Sequence, residues 1–316
     1  MSELHVILGA GQVGSAIASE LLAQGKRVRQ VRRGPPGGDR RIEWRSGDLT
    51  DPAFAEEAMR GASVAYDCIN PPYDRWPELL PGQRRGVLHG AMRNGVKLVQ
   101  LDNLYMYGAP DAPMTEETAA APQSRKGELR ARLAEETLAA SRRGDLRVAV
   151  ARASDFYGPG FVRATIFGDR FFQRVLSGRP AQVLGDADMP HSYSYGPDVA
   201  RAMIRLGEAG DDVLGQVWHL PVRPAEGTRA MMERFAAALG VAVHLQRVPD
   251  WLLRAMGIFQ PVLREVAEMT YQWKKPFVLD DAKWRRRFGD EPTPVEQGVA
   301  FTARWALEAF GRARAA

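Results

Sequence analysis

The sequence predicts an α/β chain built on a doubly wound parallel sheet, with a smaller α+β domain towards its C-terminus. Three observations carry that prediction. The apolar run His5-Val6-Ile7-Leu8 leads directly into Gly9-Ala10-Gly11-Gln12-Val13-Gly14, and Ser15 to Leu22 then has helical apolar spacing. Short apolar runs alternate with helical patterns as far as residue 150, which implies parallel strands with helices on both faces. Beyond residue 160 the regular alternation stops, and aromatic residues and methionines gather.

The glycine turn is the first element with chemical content. Gly9 permits the tight turn, Gly11 lets backbone approach a pyrophosphate, and Gly14 lets helix and strand pack closely. The helix that opens at Gln12 and Val13 offers amide groups and a positive dipole end to phosphate oxygens. Spaced glycines alone are weak evidence; between a strand and a helix they are expected to hold a dinucleotide. The second strand, Lys26 to Gly34, ends in Arg32 and Arg33 and carries no acidic residue. An acidic residue there would suit the 2′-hydroxyl of NAD, whereas arginines suit the 2′-phosphate of NADP. NADP is therefore the expected cofactor, with Arg32 and Arg33 as its clamp.

Gly34 to Gly38 reads as a loop, and Ile42 to Arg45 as a third strand. Asp48 follows it on the expected adenine side, and Asp51 is placed to cap a helix after Pro52. The fourth strand, Val64 to Ile69, stops at Asn70-Pro71-Pro72; a helix near Gly82 to Asn94 and a fifth strand, Val96 to Leu101, follow. Ligands on such sheets bind beyond the carboxyl ends of the strands, which puts Asn70, Asp102, Asn103, Tyr105 and Tyr107 near the cofactor. Leu129 to Ala140 forms an amphipathic helix, and Leu146 to Val150 a sixth strand.

Composition narrows the function classes. The chain has 316 residues, 45% hydrophobic and 26% charged, enough for one large domain or two smaller ones. No apolar run is long enough to span a bilayer. The N-terminus lacks the features of a secretory signal, and one cysteine, Cys68, allows no internal disulfide, so a cytoplasmic protein is expected. The five histidines lack metal-ligand spacing, so no metal is expected. The net charge of +5 comes from dispersed arginines without a nucleic-acid-binding motif, which favours solvated faces over a nucleic-acid surface.

With these segments in place, the chain resembles the extended short-chain dehydrogenase/reductases, and within them the NAD-dependent epimerase/dehydratase branch. The likeness rests on the glycine turn, Gly47-Asp48-Leu49, Tyr107-Gly108, Arg152-Ala153-Ser154-Asp155-Phe156-Tyr157-Gly158-Pro159-Gly160, and Asp198-Val199-Ala200. It implies a Rossmann domain over residues 1–160, to which 182–210 return, with 161–181 and 211–316 as substrate or lid domain. It also implies a small-molecule substrate and a homodimer through the long helices after strands four and five.

In that family a Ser or Thr after strand five works with a Tyr-x-x-x-Lys on the next helix. The tyrosine trades a proton with a substrate oxygen, while the lysine lowers its pKa and holds the nicotinamide ribose. This chain departs from the pattern. The serine position holds Asn103, Lys126 takes the lysine position, and Pro122 stands where the tyrosine is expected. Tyr105 and Tyr107 are the candidate replacements. The loss of the tyrosine leaves two readings open: an NADP-dependent oxidoreductase or epimerase using another acid, or a catalytically silent NADP-binding redox sensor.

The remaining third reads as substrate domain. His191 to Tyr195 alternates like a strand with one buried face, and His191, Tyr193 and Tyr195 are candidate substrate contacts. Pro197 opens a helix, Val217 to Pro221 is a strand, and Thr228 is a fair N-cap for the next helix. Trp251 to Trp273 lines an apolar pocket or belongs to the core. Phe277 to Gly289 reads as an exposed helix, and Pro292-Thr293-Pro294 precedes a last amphipathic helix that ends near Phe310.

Overall fold

The computed structural model describes residues 3–311 and divides into two compact units. The first unit comprises Met1–Met106, Arg125–Ala153 and Val199–Leu220; the second comprises Tyr107–Ser124, Ser154–Asp198 and Pro221–Ala316.

In the first unit the chain runs β1 (Leu4–Leu8), α1 (Gln12–Ala23), β2 (Arg27–Arg32), β3 (Ile42–Ser46), α2 (Pro52–Met59), β4 (Val64–Asp67), α3 (Trp76–Asn94), β5 (Lys97–Asp102), α4 (Arg125–Arg142) and β6 (Val148–Arg152). The second unit then contributes β7 (Asp155–Tyr157), α5 (Asp169–Leu176), β8 (Ala181–Val183), β9 (Pro190–His191) and β10 (Tyr193–Tyr195). Most of α6 (Gly196–Glu208) and all of β11 (Gln216–His219) belong to the first unit again.

The sheet has seven strands in the order β11-β6-β5-β4-β1-β2-β3, and each pairing is parallel. The strand order reverses direction between β1 and β4, the switch point at which ligands enter sheets of this kind. All residues of β1 are buried, as expected of a central strand covered on both faces, and this is why it reads as a continuous apolar run. The core around it draws on Val6, Leu8, Val31, Ala65, Val87, Leu98 and Val150.

Several boundaries differ from expectation for identifiable reasons. The helix expected near Gly82 starts at Trp76 instead. Pro77 occupies its first turn, where a missing N–H costs nothing, and buried Trp76 and Leu80 offset the hydrogen bond lost at the interior Pro81. Asp51 does cap α2, accepting from the Ala53 N–H at 3.0 Å.

In the second unit, β12 (Glu226–Gly227), α7 (Thr228–Leu239), β13 (Leu245–Arg247), α8 (Asp250–Gly257), α9 (Pro261–Glu268), α10 (Ala282–Phe288) and α11 (Val295–Phe310) complete the chain. Thr228 is not the cap of α7: Gly227 is, and the Thr228 hydroxyl instead meets Tyr193 Oη at 2.6 Å. The segment from His191 to Tyr195 is buried on both faces rather than one. Its serines tolerate this because each hydroxyl has a partner: Leu279 N donates to Ser192 Oγ, and Ser154 N to Ser194 Oγ. The expected exposed helix, α10, has one buried anchor, Trp284. The segment Trp251 to Trp273 divides, with Leu253, Met269 and Trp273 buried and Trp251, Ile258, Phe259 and Val262 exposed. Phe167, Phe171, Phe172 and Phe235 form an edge-packed aromatic core beside α7 and α11.

One buried group in β1 couples the fold to pH. His5 stacks on Tyr66 with its Nδ1 at 3.1 Å from the phenol oxygen, and burial, aided by the Lys26 cation, holds its pKa below the ordinary value. The folded state thus keeps this imidazole neutral, while the unfolded chain takes up a proton near pH ~6.5. The contribution is complete above that pH and is lost as pH falls towards the folded-state value. Urea midpoints at pH 8 and pH 5.5 should show this acid loss in the wild type and a smaller loss in His5→Phe. An equal loss in both would remove His5 from the explanation.

Candidate functional site

The glycine turn lies at the carboxyl end of β1, beside the switch point. Gly9 has φ +110°, a conformation that side chains with a Cβ rarely adopt. At Gly14 a Cβ would stand 2.2 Å from the Gly9 carbonyl oxygen, so strand and helix approach too closely for any other residue. Gly11 is different. It is exposed, its φ of −83° suits any residue, and a Cβ there would meet nothing within 4 Å. No side chain caps the N-terminus of α1, which begins at half-buried Gln12 and buried Val13. The chain's own packing does not require glycine at 11, whereas a ligand lying against the backbone would. These residues therefore fit a pyrophosphate.

β2 ends at Arg32, whose guanidinium folds against the Gly34 backbone, and exposed Arg33 follows. Among the described residues neither makes an ion pair with the chain. Asp48 follows β3, exposed, and accepts from the Thr50 N–H at 2.9 Å. Asn70 lies beyond the end of β4, where its Oδ1 accepts from Arg130 Nη2 at 3.1 Å.

A network of buried charges lies along the carboxyl ends of β4 and β5. Arg84 on α3 donates to Asp67 at 2.7 Å, both side chains being about 4% exposed. Asp102, the last residue of β5, has Arg130 at 3.4 Å and Arg152 at 3.6 Å. Burial pushes the Arg130 guanidinium down from its ordinary range, against the opposing pull of Asp102. The Arg130 guanidinium also lies over Trp76, 4.2 Å from the ring centroid.

Beside this network, Asn103 Oδ1 accepts the Tyr105 N–H at 3.1 Å. Tyr105 is buried, and its hydroxyl lies 2.5 Å from that of half-buried Tyr73. Lys126, on the first turn of α4 and buried, sits over the Tyr73 ring at 5.4 Å. In this unit the structure thus gathers Asn103, Tyr105 and Lys126 from the predicted site. Tyr107 belongs to the second unit and is buried there.

The predicted substrate residues also belong to the second unit, where His191 is fully buried and Tyr193 and Tyr195 nearly so. His191 Nε2 pairs with Asp155 Oδ2 at 2.9 Å, and its ring stacks on Trp273 at 5.3 Å. Tyr195 packs on Tyr157 at 5.2 Å, and burial pushes the Tyr193 phenol above its ordinary range. Asp155, whose side chain is 15% exposed, is the group of this cluster that reaches the surface.

Sequence reasoning missed Tyr73, Trp76, Arg84, Arg130 and Asp155. Lys126 and Arg130 did carry a signal, since residues four apart share a helix face. Tyr73 carried none, because it lies in a short 3-10 turn (Tyr73–Arg75) whose place beside α4 depends on tertiary packing.

A seven-stranded parallel sheet with a glycine turn at its switch point defines a Rossmann-type α/β protein. The family model for the NAD dependent epimerase/dehydratase family matches residues 5–220, and the chain belongs to that family. Solved structures of similar fold include a dTDP-glucose 4,6-dehydratase from Bacillus anthracis in complex with NAD, with TM-score 0.79, 18% identity and 97% of each chain covered. The DesIV dTDP-glucose 4,6-dehydratase of Streptomyces venezuelae, with NAD and TYD bound, gives TM-score 0.79 at 21% identity over 98% of each chain. A UDP-glucose 4-epimerase of Thermus thermophilus, in complex with NAD, gives TM-score 0.75 at 19% identity, covering 97% of this chain and 99% of that one. A search of curated proteins finds no match. Among the described residues no helix is long and apolar enough to cross a membrane, and no cluster of His, Cys, Asp or Glu could hold a metal ion.

Proposed function

We propose that this protein binds NADP on the turn after β1 and acts as an oxidoreductase or epimerase/dehydratase-like enzyme on a small carbonyl or sugar-nucleotide-like substrate. The observation that carries the reading is Gly11, exposed and unconstrained by its own chain at the N-terminus of α1. Gly9, Gly11, Gln12, Val13 and Gly14 would hold the pyrophosphate, Asp48 and Asn70 the adenosine and central portions, and Lys126 the nicotinamide ribose. When bound, the nicotinamide supplies a hydride donor or acceptor.

The protein's own task is the proton. Tyr105 holds it at Oη and is fixed at its backbone by Asn103. Tyr107 is the alternative donor. For the substrate we keep His191, Tyr193 and Tyr195 of the second unit, where His191 is held by Asp155 and stacks on Tyr193 at 4.7 Å. The single cysteine, Cys68, leaves no internal disulfide, which suits the reducing cytoplasm in which we place the protein.

NADP is chosen over the NAD named for the similar structures because Arg32 and Arg33 end β2 and the strand carries no acid. Fluorescence titration should show NADPH bound at least about tenfold tighter than NADH, a preference abolished in Arg32→Glu/Arg33→Glu, since each charge-assisted phosphate contact contributes ~1.5–3 kcal/mol. A wild type that prefers NADH would overturn the arginine clamp but not the glycine site. Pro122 supports the second reading, a silent redox sensor. A tight NADPH complex inert towards a panel of carbonyls and sugar nucleotides would select it, and turnover of any member would exclude it.

A further inference from the structure

We infer that Tyr73 is the proton-relay partner of Tyr105, and that this hydroxyl pair beneath Lys126 takes over the task of the tyrosine missing at Pro122. The inference rests on the proton-donor role proposed for Tyr105. Tyr73 enters the site from the turn after β4 rather than from α4, so it supplies a phenol to the same lysine from a different part of the chain.

The geometry supports this in three ways. The two hydroxyl oxygens are 2.5 Å apart, within direct O–H···O hydrogen-bond reach, and either can be the donor, as a relay requires. The Lys126 ammonium lies over the Tyr73 ring, 5.4 Å from its centroid, which puts a cation beside this phenol. Trp76 packs against both phenols, 4.8 Å from Tyr73 and 6.2 Å from Tyr105, and so holds the rings in register.

The charged surroundings are mixed but lean cationic. Lys126 and Arg130 face the pair from α4, and Arg130 is already matched by Asp102. Within the turn itself stand Asp74 and Arg75, and Arg75 is paired with Glu78 on α3.

The step balances as a relay. The Tyr105 O–H bond breaks as its proton passes to a substrate oxygen that gains electron density when the adjoining carbon is reduced. Tyr73 restores that bond by giving Tyr105 its own proton, and half-buried Tyr73 is reprotonated by water. Each O–H bond broken is matched by one formed, and the hydroxyl chain carries no electrons. Oxidation of a hydroxyl substrate runs the relay in reverse. The substrate oxygen therefore needs no water of its own, and the buried phenol can still recharge.

The test uses the full chain with no ligand and follows phenolate absorbance during a pH titration. Of the eight tyrosines, one should ionise at least about one pH unit below the ordinary ~10. That early step should disappear in Tyr73→Phe, which keeps the ring that Lys126 and Trp76 touch. It should move to higher pH in both Tyr105→Phe and Lys126→Met. Absence of an early step in the wild type, or its survival in Tyr73→Phe, would overturn the relay. If Tyr73→Phe does not fold, an early step unmoved in Lys126→Met overturns the relay instead. NADPH titration of the wild type tests the dinucleotide reading separately, so failure of one can be told from failure of the other.

Discussion

Gly11→Val is expected to fold with stability within about 1 kcal/mol of wild type and to bind NADPH more than about tenfold more weakly. The backbone at Gly11 is extended, and a Cβ there has nothing of the chain within 4 Å. The remaining cost is the modest one of replacing glycine at an N-cap. Gly14→Val is expected to behave in the opposite order. Its Cβ would stand 2.2 Å from the Gly9 carbonyl oxygen and 3.2 Å from Ile7 Cγ2, so backbone has to move, at a cost of about 3 kcal/mol. Urea denaturation and NADPH titration on the two variants separate ligand space from packing space. A Gly11→Val chain that kept full NADPH affinity would remove the main support for the dinucleotide site.

Arg84→Met is expected to cost about 3–5 kcal/mol, among the largest effects of any single change in the first unit. Asp67 would then remain at the end of β4 as a buried carboxylate whose one cation has gone. Among the described residues it would retain only its contact from the Ile69 N–H at 3.2 Å. The double variant Arg84→Met/Asp67→Leu should recover most of the loss, because removing both charges also removes the desolvation they carry. A single-variant loss below about 1 kcal/mol in urea unfolding would mean that water reaches the pair and weakens it to the level of a surface bridge. The same pair bears on function, since α3 begins with Trp76, which packs on Tyr73 and Tyr105. Loosening α3 is therefore expected to disturb the hydroxyl pair as well as the fold.

Much of the sheet was legible because its signals are local. β1 reads as a strand because both its faces are buried, and α1 follows because Gly14 permits the close crossing. Asp51 and Pro52 announce α2, and Gly95 ends α3 in the left-handed conformation that favours glycine. The start of α3 was less legible, since Pro77 and Pro81 resemble loop residues until the burial of Trp76 and Leu80 is known. In the second unit the alternation from His191 to Tyr195 suggested one wet face, but hydrogen bonds from Ser154 and Leu279, distant in sequence, let both faces be buried.

The sequence by itself determined the parallel α/β class, the glycine turn, the basic end of β2, and the absence of tyrosine at Pro122. Each depends on residue type and on neighbours a few positions away, where backbone sterics and hydrophobic periodicity act. Only the tertiary structure decided which hydroxyl stands beneath Lys126, which carboxylates Arg84 and Arg130 neutralise, and that His191 is held by Asp155. Those pairings join residues from 17 to 53 positions apart in the chain, since Tyr73 meets Lys126 and Asp67 meets Arg84. In the first unit they arise because α3 and α4 carry their cations to the carboxyl ends of the strands, where a charge that folding buries is stable only beside a partner.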